Sequence, residues 1–390
     1  MKYDFVTRPD RRDVGAFKWM DMYRRNPSVS PDVVPMSVAD MEFVNAPEII
    51  EGLKDYISNN VLGYTGPTDA YFDAVISWMT RRHGFTPKRE WILQSPGVVP
   101  ALYELVPALT EPNEAVLICT PVYHPFRHAV EESKRELVCC ELIERDRSCD
   151  VDFEDFERKA KLPSVKLFIL CSPHNPVGRV WTKAELQKML KICRENGVTV
   201  VADEIHGDLI MPGVSYVSTG TLTEELDNLV ICTAPSKTFN LAGMQTSNII
   251  IPNADLRKRF NDAAGYHSLN ALGYKACEYA YNQCEGWLDE LITVIDSNRA
   301  LVEEFLKDKL PMLIPFRLEG TYLLWVDCRK LGMNHTELEN FLENRCQLFF
   351  NDGFMFGEGG DGFVRINLAC PKSVVEEALE RLCNGIKNCQ

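Results

Sequence analysis

A single lysine, Lys237, interrupts an otherwise uncharged run, TAPSKTFNLAG (233–243). The run follows NLVIC (228–232), which reads as a buried strand. Lysine is almost never fully buried without a partner. Burial disfavours the charged form and pushes an ammonium pKa down, and the neutral amine is then a nucleophile that forms Schiff bases with carbonyls. Pyridoxal phosphate needs such a lysine, together with an acid partner for its ring nitrogen. Asp203, ending the run VTVVAD (198–203), could be that acid. A plain Lys237–Asp203 salt bridge is the competing reading, and spacing alone leaves both open.

A phosphate would need donors. SPGVVPALYEL (95–105) supplies a glycine turn into a helix, where free N–H groups and the helix dipole meet an anion. Gly97, Val98 and Val99 are the candidate amides; Pro100 has no N–H but suits a first helical turn. Ser236 and Thr233 flank the lysine as candidate hydroxyl donors. GEGGDG (357–362) lacks a strand-to-helix context and reads as a loop. His124 and His128 stand four apart, but Pro125 between them and the lack of a third ligand nearby argue against a metal.

The elements that must position these groups are legible as alternation. EAVLICTPVY (114–123), VKLFILCSPHNP (165–176), VTVVADEIH (198–206), NLVICTAPSK (228–237) and SNIII (247–251) are short apolar runs. Between the second and third, TKAELQKMLKICRENG (182–197) opens with Thr182 and Glu185 at capping-box spacing and closes on Gly197. Continuous apolar strands alternating with amphipathic helices predict an α/β fold with a mainly parallel sheet covered on both faces. Four runs lead into Tyr123, Asn175, Asp203 and Lys237, and in such sheets ligands bind beyond the carboxyl ends of the strands. After a long helical pattern at 286–309, runs at 316–328, 346–353 and 362–370 read as strands and 373–386 as a helix, a smaller α+β unit. The first 45 residues read as Pro- and Arg-rich and poor in clear helices.

The chain has 390 residues, a formal charge of −14 and fourteen cysteines with no CxxC pair. There is no polybasic run, apolar leader or membrane-length apolar run, which points away from nucleic acid, secretion and membranes. Scattered cysteines in apolar runs read as reduced core thiols of a cytoplasmic protein.

VADMEF (38–43), GYTGPTDAY (63–71), CSPHNPVGRVW (171–181), DEIH (203–206), TAPSKTFN (233–240) and RINLA (365–369), in this order, resemble the fold-type I, aspartate-aminotransferase-like pyridoxal-phosphate enzymes. The resemblance spans nearly the whole chain and is nearest the carbon–sulfur β-lyase branch, the maltose-regulon-type cystathionine β-lyases and cystalysin. It implies a seven-stranded, mainly parallel sheet sandwiched by helices in a large domain, 46–285, with 1–45 and 286–390 forming the small domain. It implies that Lys237 holds pyridoxal 5'-phosphate covalently and shuttles the Cα proton. Asp203 would pair the ring nitrogen, Asn175 would bond the ring oxygen and Tyr123 would stack on the ring. Arg365 would clamp the substrate carboxylate, with Ala39 also at the substrate. Tyr64 would come from the neighbouring subunit of a homodimer and act on the phosphate or the leaving group. His206 takes a cofactor-facing place where many aminotransferases carry a tyrosine, and Gln245 stands where many carry a phosphate-binding arginine. Both departures are shared by the lyase branch. His124 and Gly207 differ within the branch and are expected to alter the substrate pocket. The implied reaction is β-elimination from cystathionine or cysteine; transamination, and a cofactor-binding protein with a mainly regulatory role, are the alternatives.

Overall fold

The computed structural model describes residues 1–222, 226–265 and 269–387. Seven strands form the larger sheet: β1 (Ile92–Ser95), β2 (Ala115–Thr120), β3 (Glu136–Glu141), β4 (Val165–Cys171), β5 (Thr199–Asp203), β6 (Leu229–Thr233) and β7 (Ser247–Ile250). Their order is β1-β7-β6-β5-β4-β2-β3. The ladders β2–β3, β2–β4, β4–β5 and β5–β6 are parallel, and β7 is antiparallel to both neighbours. β2 and β6 are buried at every position, as a sheet covered on both faces requires. Helix Lys183–Glu195 starts on the capping box of Thr182 and Glu185, which satisfies two otherwise orphaned donors.

A second sheet holds β8 (Ile314–Pro315), β9 (Leu323–Asp327), β10 (Asn351–Asp352) and β11 (Phe363–Asn367), in the order β8-β9-β11-β10 and all antiparallel. The 25-residue helix Glu285–Lys309 leads into it, and helix Lys372–Lys387 packs against that long helix.

Three expectations are corrected. The run 346–353 yields only the two-residue β10, although Leu348, Phe349 and Phe350 are all buried. The Phe349 carbonyl instead accepts the amide of Met36, at 3.0 Å, so the N-terminal segment covers this stretch. The run 316–328 is strand only from Leu323; at Gly320 an added Cβ would lie 2.8 Å from Val180 Cγ2, so the chain passes too close there for a side chain. The first 45 residues do contain a helix, Phe17–Arg25, which buries Lys18, Trp19 and Met22. Lys18 is tolerated inside because Asp40 and Glu42 each pair with it at 2.9 Å.

Among the described residues no helix is long and apolar enough to cross a membrane. Thirteen of the fourteen cysteines are described, and all thirteen are free thiols.

Candidate active site

The parallel strands deliver their carboxyl ends to one cavity of about 730 Å³. Asp203 is the last residue of β5 and opposes Cys171, the last residue of β4, and Cys232, the last but one of β6. Lys237 sits on a single turn, Pro235–Thr238, immediately beyond β6. Asn175 follows β4 by four residues and Tyr123 follows β2 by three, joined by a 3.0 Å bond from the Tyr123 amide to the Asn175 carbonyl. Helix Val98–Leu109 points its N-terminus at the same space, with Gly97 as an extended N-cap.

Ala39, Gly97, Val98, Val99, Tyr123, Asn175, Asp203, His206, Ser236, Lys237 and Gln245 all line this cavity. Three predicted residues do not: Thr233, Tyr64 and Arg365. Thr233 faces a smaller buried pocket beside Trp78, His83, Asp208 and Tyr216, because strand alternation turns its side chain away from the main cavity. Tyr64 lies on an extended stretch, is fully exposed at 102%, and is not brought to the cavity within one chain. Gly207 is also absent from the lining: a Cβ there would meet the Tyr216 hydroxyl at 2.9 Å, so its smallness accommodates Tyr216 rather than substrate.

Arg365, on β11, stands behind Asn175. It donates to Asn175 Oδ1 at 2.8 Å and to Asn351 Oδ1 at 2.7 Å, and its guanidinium lies 4.8 Å from the Phe356 ring centre. It is buried, and among the described residues no carboxylate pairs with it. Burial pushes its pKa down to about 10.

Lys237 Nζ donates to the Ala39 carbonyl at 2.8 Å, and Tyr322 Oη donates to the same oxygen at 2.9 Å. The carbonyl is presented by a strained loop. Val38 has φ 55°, a left-handed conformation that costs a β-branched residue on the order of 1–3 kcal/mol. Asn351 Oδ1 holds the Val38 amide at 2.9 Å, and Asn367 Nδ2 donates to the Val38 and Asp40 carbonyls at 2.8 and 2.6 Å. Tyr322, Asn351 and Asn367 were not picked out from sequence. Asn367 lies within RINLA, so that motif was the available signal; the other two emerge only from the pairing of β10 and β9 with β11.

Desolvation dominates the electrostatics. It lowers Lys237 to about 8, against the opposing pull of Asp40 and Asp203. It raises Asp203 to about 7, against the Ile205 amide and Lys237. It drives His206 well below its usual range, which keeps the imidazole neutral. Tyr123 is raised, so its phenol keeps its proton. A depressed amine beside an elevated acid is an arrangement that moves protons near neutral pH.

A mainly parallel sheet with a half-buried lysine just beyond one strand and an aspartate at the end of the next defines a class that likeness to known proteins makes specific. The chain belongs to the aminotransferase class I and II family, whose model matches residues 31–382. Cystathionine beta-lyase PatB of Bacillus subtilis (strain 168) is 42% identical over 356 residues, covering 90% of this chain and 92% of that protein. Protein MalY of Escherichia coli (strain K12) is 30% identical over 390 residues, 99% of both. The crystal structure of cystalysin from Treponema denticola, which contains a pyridoxal 5'-phosphate cofactor, matches with a TM-score of 0.98 and 47% identity over 100% of both chains.

Proposed function

We propose that this chain is a pyridoxal-phosphate-dependent carbon–sulfur lyase that removes a thiol from the β-carbon of cystathionine, cysteine or a related amino acid, leaving pyruvate and ammonia. The observation that carries the reading is one cavity holding Lys237 and Asp203, with Arg365 behind it lacking a carboxylate partner among the described residues.

The residues fit the cofactor. Lys237 offers the amine for its aldehyde, and Asp203 a carboxylate for its ring nitrogen. Asn175 Oδ1 is taken by Arg365, which leaves Nδ2 to donate to the ring oxygen. Tyr123 offers a ring face. The amides of Val98 and Val99 at a helix N-terminus, with the Ser236 hydroxyl, suit the phosphate. With Gln245 in place of an arginine, these phosphate donors are neutral. The buried His206 Nδ1 has no hydrogen-bond partner among the described residues and stands free for a ligand.

Bound, the cofactor supplies an electron sink that acidifies the Cα–H of an amino acid attached through its amine. The chain does the rest. Arg365 holds the substrate carboxylate through its two-pronged fork, which a lysine cannot reproduce. Lys237 Nζ, neutral above about pH 8, takes the Cα proton while the Ala39 carbonyl steers it. Tyr123 Oη, kept protonated by burial, gives a proton to the departing sulfur. The unsaturated amine that remains takes up water and falls apart to pyruvate and ammonia.

The same reading includes a homodimer in which Tyr64 of each subunit completes the other's site. The exposure of Val61 (89%) and Leu62 (60%) beside Tyr64 supports it, since an extended apolar stretch in water is unfavourable. A large domain at 46–285 and a small one at 1–45 plus 286–390 follow the two sheets. Free thiols suit a reducing cytoplasm.

The test is purified protein with pyridoxal phosphate and L-cystathionine or L-cysteine, without any added keto acid. Catalytic pyruvate with release of homocysteine or sulfide is expected. A reaction that stalls until a keto acid is added would identify a transaminase instead.

A further inference from the structure

Beneath the active-site floor lies a buried polar cluster that the mechanism does not use. Its centre is Asp208, which is 9% exposed. Asp208 Oδ1 accepts Trp78 Nε1 at 3.0 Å and His83 Nε2 at 2.8 Å. Its other oxygen, Oδ2, accepts the Thr238 hydroxyl at 2.7 Å. Thr238 is fully buried and directly follows Lys237. Asp208 belongs to the short segment that begins with Asp203.

We propose that Asp208 is a positioning residue: through Thr238 it clamps the turn that carries Lys237 to the segment that carries Asp203, and so sets the placement of one against the other. This rests on the function proposed above.

A tie of this kind is needed for a physical reason. The Lys237 turn is only four residues long, and an isolated turn of helix is unstable without tertiary contacts. Its own backbone bonds, Phe239 N to Pro235 O at 2.9 Å and Leu241 N to Ser236 O at 3.0 Å, close the turn but do not connect it to β5. The Thr238 hydroxyl does. The carboxylate it reaches cannot swing away, because Trp78 and His83, both on helix Asp69–His83, hold the opposite oxygen. The 203–208 segment is also fixed from its far side. Glu204 accepts from Ser218 Oγ at 2.7 Å, from the Thr219 amide at 2.7 Å and from Thr219 Oγ1 at 2.6 Å. Gly207 closes against Tyr216. The cluster is therefore a rigid block with one arm extended to the residue beside Lys237. A displacement of about 1 Å at a reacting group can cost roughly a hundredfold in rate.

The experiment compares the holoenzyme with Thr238→Val, which keeps the shape and removes the hydroxyl, and Thr238→Ser, which restores it. Two quantities are read: kcat and KM for pyruvate release from L-cystathionine, and the pH midpoint of the visible absorbance of the lysine-bound cofactor. Loss of a buried hydrogen bond to a charged acceptor predicts a kcat lower by about tenfold to a hundredfold in Thr238→Val, with KM changed less than about threefold. The pH midpoint shifts in Thr238→Val and returns in Thr238→Ser, which general destabilisation would not produce. If Thr238→Val does not fold, Thr238→Ala is read by the same criteria. A valine or alanine variant with an unmoved midpoint and a kcat within about twofold of wild type overturns the proposal. A wild-type protein that takes up no pyridoxal phosphate overturns the proposed function and this proposal with it; cofactor uptake with an indifferent variant overturns this proposal alone.

Discussion

Arg365→Lys is the most informative single change. The substitution keeps a positive charge at the end of a flexible stem and removes the planar fork. In the native chain Nη1 and Nη2 are spread between Asn175 and Asn351 at 2.8 and 2.7 Å, and the guanidinium faces Phe356 at 4.8 Å. An ammonium group can follow one of those asparagines but cannot span both while also gripping a carboxylate. Losing one charge-assisted bond to the substrate costs about 1.5–3 kcal/mol, and an asparagine oxygen left without a donor adds about 1–3 kcal/mol. Taken together these correspond to a fall in kcat/KM of roughly a hundredfold to ten-thousandfold or more. Burial adds to the effect: the lysine already in the cavity, Lys237, is lowered to about 8, so a second would also be partly neutral at working pH.

The assay is kcat/KM for pyruvate release from L-cysteine and from its methyl ester, which lacks the carboxylate charge. Wild type should prefer the free acid strongly, and Arg365→Lys should lose most of that preference because only the free acid uses the fork. Equal losses on both substrates, or a preference ratio unchanged within about threefold, would refute carboxylate recognition by Arg365.

Lys237→Ala should abolish turnover, and borohydride reduction followed by peptide mass mapping should then find no cofactor fixed to the 233–243 peptide. Asp203→Asn should remove a pH-dependent penalty in the cofactor-free protein. The folded pKa of Asp203 is raised from 3.8 to about 7, so the native state holds its proton more tightly and loses stability as pH rises through about 7. The variant should match wild type near pH 4 and exceed it by on the order of a few kcal/mol at pH 8, read by denaturant titration at each pH. Gly207→Ala should lower stability by about 1–3 kcal/mol, because the new methyl meets the Tyr216 hydroxyl at 2.9 Å and the Glu204 carbonyl at 3.1 Å. Adding Tyr216→Leu should recover part of that loss in thermal unfolding.

What the sequence made legible follows from which constraints are local. Asp203 and Lys237 announce themselves because each is a charge at the end of an apolar run, where burial is costly unless a partner or a ligand meets it. Gly97 and the amides after it are legible for a similar reason, as a glycine placed where a helix begins. Thr233 is a local reading that overreached: proximity to Lys237 in sequence said nothing of which face of β6 its hydroxyl takes. Asn351 could not have been found locally. It opposes Arg365 in the β10–β11 register, and that register is set by strand pairing across a loop of ten residues. Tyr322 is hidden in the same way, since its hydroxyl meets an N-terminal carbonyl from 283 residues away. The N-terminal helix escaped because its buried lysine breaks the apolar pattern, and only the acids at 40 and 42 account for that lysine being inside.

The polarity of the cavity also argues for the kind of ligand it takes. The chain carries a net charge of −14, yet this cleft is served by two cations, the half-buried Lys237 and the buried Arg365, with Asp203 as the acid in its lining. Each of these three groups is shifted by desolvation toward its neutral form, so each is held at a cost in the ligand-free protein. A phosphate at the helix N-terminus and a carboxylate at Arg365 bring negative charge to the cationic side, and a protonated heterocycle brings positive charge to Asp203. A ligand that offers all three offsets three desolvation penalties at once, whereas a simple anion relieves only one side. Pyridoxal phosphate together with an unreactive amino acid should therefore raise the unfolding temperature by more than inorganic phosphate and the same amino acid do. Equal shifts from the two mixtures would mean that Asp203 does not meet a cation, and the case for its place beside the ring nitrogen would fail.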